Sequence, residues 1–99
     1  MQSHYPERFD REMGCTEAEW QRAVPAAMGD CVWTQDTQTI SAVVGSGRLH
    51  IAWQVGPPRV IALMRMPRLQ VSFDFQGVEE TTRHAFMKRF DLYMQRGGG

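Results

Sequence analysis

At 99 residues and 11.3 kDa, the chain is long enough for one compact domain and short for two. With 22% charged and 42% hydrophobic residues it has a globular balance, not a disordered one. Eleven basic and eleven acidic residues cancel, and with a pI near 6.8 and a mean hydropathy of -0.41 no global field draws the chain onto nucleic acid.

No apolar run approaches the roughly 18 residues of a membrane span, and the opening residues MQSHYPERFD lack the apolar core of a signal peptide. The expectation is a cytoplasmic protein that engages neither membrane nor nucleic acid. Residues 1–15 carry aromatic anchors at Tyr5 and Phe9 but no sustained period, with Pro6 and Gly14 as interruptions, and read as an irregular N-terminal arm. A single domain over 16–96 follows.

Thr16 opens the tetrapeptide T-E-A-E, the pattern of a reciprocal capping box with Glu19, so a helix is expected to start there. Trp20, Val24 and Ala27 repeat at helical spacing to form its apolar stripe. Pro25 falls inside this stretch, and the lost N–H predicts a bend or a restart before Gly29.

From Val32 the period changes to two. Thr37–Val44 and Arg48–Val55 flank Gly45-Ser46-Gly47 and read as a hairpin, with Leu49, Ile51, Trp53 and Val55 on one face of the second strand. After Gly56-Pro57-Pro58, the run Arg59–Met66 is nearly all apolar and ends at Pro67. Arg68–Phe75 alternates cleanly, with Leu69, Val71, Phe73 and Phe75 inward.

Past Gly77, the stretch Val78–Arg96 places Thr82, Phe86, Phe90 and Tyr93 on one helical face. Glu79 and Glu80 sit in its first turn and Arg96 in its last, matching the helix dipole, with Gly97 as C-cap and Gly97–Gly99 as a flexible tail. The predicted architecture is α+β in the order α-β-β-β-β-α. It is a two-layer arrangement in which a four-stranded antiparallel meander carries both helices on one face.

The neutral total conceals a dipole along the sequence. Residues 1–36 hold three basic against seven acidic side chains, a net of -4, whereas residues 37–73 hold Arg48, Arg59, Arg65 and Arg68 with no acid, a net of +4. Cys15 and Cys31 form no C-x-x-C unit, and with His4, His50 or His84 they show no metal-ligand spacing, so free thiols and neither metal nor cofactor are expected. Neither a P-loop, nor G-x-S-x-G, nor H-E-x-x-H occurs, and no catalytic residue stands out.

Two surfaces attract attention. Arg48, His50, Arg59, Arg65 and Arg68 are candidates for a small anionic ligand, because guanidinium forks suit carboxylate and phosphate groups. In the third predicted strand, alternation puts Ile61 and Leu63 outward beside Arg59 and Arg65, while Val60, Ala62, Met64 and Met66 enter the core. Large aliphatics on an open sheet face point to a contact surface for a protein partner or a second copy. The outer face offers no aromatic platform for base stacking.

The stretches Gly45-Ser-Gly-Arg-Leu-His-Ile-Ala-Trp, Pro57-Pro-Arg-Val-Ile-Ala-Leu-Met-Arg-Met-Pro-Arg-Leu and Arg89-Phe-Asp-Leu-Tyr-Met-Gln-Arg-Gly-Gly-Gly resemble a small family of uncharacterised proteobacterial proteins. The resemblance spans most of the chain. It implies a bacterial, cytoplasmic protein and carries no activity with it.

Overall fold

A computed structural model describes residues 4–96. The elements in chain order are β1 (Arg8–Met13), α1 (Glu17–Met28), β2 (Trp33–Gln35), β3 (Thr39–Val44), β4 (Gly47–Val55), β5 (Arg59–Ile61), β6 (Met64–Met66), β7 (Leu69–Gln76) and α2 (Glu80–Arg96). The fold is α+β with antiparallel pairing throughout the described strands. The main sheet has five strands in the order β1-β7-β4-β3-β2, and β5 and β6 form a separate two-stranded ribbon.

This corrects the expected four-stranded meander in three places, the simplest being the short strand β2, which pairs with β3 and adds an edge the sequence reading did not separate. The supposed irregular arm of residues 1–15 contains an edge strand, β1, paired along its length with β7. Its alternation is masked in the sequence by Arg11, which occupies an inward position. The guanidinium lies 5.6 Å from the Phe9 ring centre and 5.4 Å from that of Phe73, and it bonds the Asp91 carboxylate at 2.6 Å. The arginine stem thus covers apolar surface while its charge is matched.

The third correction concerns residues 59–66. They are not a strand between the second and fourth strands of a meander, because β4 pairs directly with β7, from Arg48 opposite Gln76 to Val55 opposite Leu69. They leave the sheet instead, and the whole stretch from residue 57 to 67 is exposed.

The remaining elements form where local chemistry places them. Thr16 accepts the Glu19 amide at 3.1 Å and donates its own to the Glu19 carboxylate at 2.9 Å, closing the capping box. Helix α1 continues through Pro25, whose ring is exposed, so no restart separates two segments. Its C-terminal carbonyl at Ala26 is met by Arg89 of α2 at 3.3 Å. The β3–β4 hairpin turns at Gly45, with φ of 57°, and Ser46.

The core is aromatic. Trp20 of α1 meets Trp53 of β4 at 5.4 Å and Phe90 of α2 at 5.9 Å, Phe90 sits edge-on to Phe73 of β7 at 5.5 Å, and Phe86 does the same to Phe75 at 6.0 Å. Trp53, Phe73, Phe86 and Phe90 are all buried, as strand alternation predicts for the first two and helical spacing for the last two. The Trp53 indole N–H donates to Glu17 at 2.8 Å. Residues 97–99, expected to form a C-cap and tail, lie outside the described residues. No helix is long and apolar enough to cross a membrane among those described.

Candidate interaction surface

The ribbon is the outward continuation of the β4–β7 hairpin. Its base is closed by the Gly56 N–H donating to the Arg68 carbonyl at 3.0 Å. Beyond that bond Pro57, Pro58 and Pro67 supply no donor, so the ladder stops. It resumes with Arg59 opposite Met66 and Ile61 opposite Met64. Two residues, Pro57 and Pro58, lie on one side of the gap against Pro67 alone on the other, which is a bulge that re-aims the following pair.

The ribbon turns at Ala62 and Leu63. Ala62 has φ of 55°, a left-handed conformation that glycine or asparagine usually supplies. With an Ala-Leu turn the sequence gives no punctuation, which is why 59–66 reads as one strand. The turn also resets the alternation. Arg59, Ile61, Met64 and Met66 share one face of the ribbon, and Val60 and Arg65 share the other. The expected burial of Val60, Ala62, Met64 and Met66 is therefore overturned, since all four are exposed.

Leu63 is fully exposed at 100%, Met64 at 66%, Val60 at 61% and Ile61 at 53%. These are the largest exposures among the described large hydrophobic side chains apart from Val32 and Val55, and Val55 leads into the ribbon. Ile61 and Leu63 thus are solvent-facing, but on a projecting ribbon and not on the open sheet face.

The outward face of the main sheet is polar. One row runs Arg8, Asp74, His50, Ser41, Thr34 and the next Asp10, Ser72, Ala52, Thr39. Ala52 and Ser72 are small, and they help form a shallow depression of about 690 Å³ whose lining includes Asp10, Glu12, Gln54 and Gln70. Gln54 and Gln70 bond each other there at 2.9 Å.

The five residues proposed for an anion are dispersed. Arg48 and His50 lie on the outer face of β4, His50 opposite Asp74. Seven residue steps of extended strand, about 23 Å, separate Arg48 from the ribbon root at Val55. Arg59 and Arg65 are on opposite ribbon faces, and Arg68 is held in an ion pair by Glu12 of β1. No common pocket gathers them.

A second cavity, of about 500 Å³, lies between β1 and α2. Tyr5, Cys15 and Met94, all buried, belong to its lining, together with Met13 and the half-exposed Leu92. Tyr5 donates to Asp91 at 3.1 Å, and the same carboxylate holds Arg11. Burial, reinforced by Asp91, pushes the Tyr5 hydroxyl up from its ordinary value of 10.0. Burial likewise raises the Cys15 and Cys31 thiols, with Glu19 adding to the first, whereas Arg89 partly offsets the rise for Cys31. Neither is an activated thiolate.

This groove escaped the sequence reading because β1 did. The signal was present in Phe9 and Met13 alternating with Arg8, Asp10 and Glu12. Among the described residues, no group of three His, Cys, Asp or Glu side chains is placed to hold a metal ion. Comparison of the chain with known protein families, with curated proteins and with solved structures returns no match.

Proposed function

We propose that this protein is a non-catalytic self-association module whose contact element is the ribbon of residues 57–67. The single observation that carries the reading is a row of large apolar side chains exposed on a ribbon the sheet leaves uncovered. An isolated two-stranded hairpin is marginal in water, and apolar side chains held out in this way stabilise nothing within their own chain.

In this reading both helices cover one face of the main sheet and leave the polar face to water. The free cysteines suit a reducing, cytoplasmic setting, in keeping with the bacterial family that the sequence resembles. The anionic-ligand alternative has less support, because Arg68 is already paired and the other four residues are spread over two structural units.

Sedimentation velocity over a concentration series up to about 1 mM, roughly the weak limit of specific association, tests the proposal. Wild type should shift reversibly from monomer towards dimer, and the double substitution Ile61→Asp with Leu63→Asp should remain monomeric with an unchanged far-UV circular dichroism spectrum. A strictly monomeric wild type across that range sinks self-association.

A further inference from the structure

The ribbon needs a receptor, and β1 has the properties of one. It terminates the main sheet, with β7 as its hydrogen-bonded neighbour. The Phe75 amide donates to the Glu7 carbonyl at 2.7 Å, and Glu7 is in register with Phe75, so that pair faces β7. Antiparallel alternation then directs the N–H and C=O groups of Phe9, Arg11 and Met13 to β7 and those of Arg8, Asp10 and Glu12 to the open edge. An open edge of this kind is a template for an added strand.

The flanks of that edge differ in chemistry. On the outer side stands Asp10, exposed and without an ion pair among the described residues, whereas Arg8 is drawn to Asp74 at 4.0 Å and Glu12 holds Arg68. On the inner side runs the groove between β1 and α2, with Met13, Leu92 and Met94 in its wall. A strand added here presents alternate side chains to an acidic flank and to an apolar groove.

Strand β6 has the matching pattern. Its sequence is Met64-Arg65-Met66, apolar, basic, apolar, and all three side chains are exposed. Arg65 has no ion pair among the described residues. Strand β5 fits less well, because its basic Arg59 shares a face with the apolar Ile61.

We propose that β6 of one copy adds to the free edge of β1 in a second copy, with Met64 and Met66 entering the groove beside α2 and Arg65 lying against Asp10. The inference rests on the self-association reading and names its partner surface. Because each copy carries both a ribbon and an edge, a twofold axis makes the exchange reciprocal and doubles the buried surface. The acidic front of one chain then meets the basic middle of the other, which uses the -4 and +4 segments of the sequence.

The test is a mixing experiment followed by sedimentation velocity. Asp10→Pro removes the N–H that points to the open edge and leaves the ladder to β7 intact. Alone it should be monomeric, as should Ile61→Asp with Leu63→Asp, but the 1:1 mixture should form a heterodimer through one ribbon and one edge. With one contact in place of two, that heterodimer should be at least about tenfold weaker than the wild-type dimer.

A charge exchange provides a second reading that does not depend on a proline. Asp10→Arg and Arg65→Asp should each weaken dimerisation at least about fivefold, and the two combined in one chain should restore it. If Asp10→Pro dimerises as wild type does, edge docking is wrong and ribbon-to-ribbon pairing takes its place; a mixture that stays monomeric while the charge exchange fails to rescue also overturns edge docking. A monomeric wild type removes the underlying self-association reading itself, so the two failures are told apart.

Discussion

Phe90 and Leu63 are both large apolar side chains, yet one is sealed among three rings and the other is wholly in water. The same contrast separates the regions they belong to. In the core, Trp20, Trp53, Phe73 and Phe90 are closed over by α1, β4, β7 and α2, so each ring contributes to the free energy of folding. In the ribbon, Ile61, Leu63 and Met64 have no such cover, and their hydrophobic free energy is available only for association. Apolarity alone therefore does not say what a residue is for. Its position relative to the proline bulge at 57, 58 and 67 does.

The largest expected effect tests the core side of that contrast. Phe90→Ala should cost about 3 to 5 kcal/mol, a large share of the ~5 to 15 kcal/mol that holds an ordinary domain folded. A thermal midpoint unchanged from wild type would mean that α2 does not hold the core together. Gly47→Ala comes next. A Cβ at Gly47 would collide with the Gln76 carbonyl and the Gly77 backbone, where two chain segments touch without side chains between them. The expected loss is about 1 to 3 kcal/mol by urea unfolding, and a neutral result would show that the hairpin end is looser than its geometry.

A smaller effect concerns alkaline pH. The Tyr5 hydroxyl is raised in the folded state, so its contribution to stability is full below the unfolded value of 10.0 and disappears as pH climbs through the folded one. The raised thiols of Cys15 and Cys31 act in the same direction from 9.0 upward. Stability should therefore decline above pH 9, and Tyr5→Phe should flatten the part of that decline that sets in above pH 10. Parallel pH curves for wild type and Tyr5→Phe would deny the tyrosine any part in it.

The smallest effect on folding belongs to the ribbon. Leu63→Asp should alter the unfolding free energy by no more than about 0.5 kcal/mol, because the side chain touches no core. Its effect on dimerisation should be large. Were the substitution to destabilise the monomer as strongly as a core truncation, the comparison between the two regions would fail.

Much of the fold could be read without coordinates. The capping box at Thr16 and Glu19, the period-two runs from Thr39 to Val55 and from Leu69 to Phe75, and the aromatic stripe of α2 are all set by local spacing. The outward placement of Ile61 and Leu63 was legible too, although its setting was not. Two features were hidden for opposite reasons. Strand β1 carries a charge at an inward position, and only the distant Asp91 and the rings of Phe9 and Phe73 make that position acceptable to Arg11. The ribbon carries no turn signal, and Ala62 takes a positive φ that its side chain does not advertise.

What the sequence determined by itself is the α+β class, the inward sets on its long strands apart from Val55, which is exposed where β4 leaves the core, and the existence of both helices, because these depend on neighbours two to four positions apart. What only the tertiary structure decided is strand order and partnership: that β7 lies between β1 and β4, that 59–66 projects beyond the sheet, and that a groove opens between β1 and α2. Those outcomes depend on contacts between residues as far apart as Arg11 and Asp91, whose free energy is realised only when the chain has already closed.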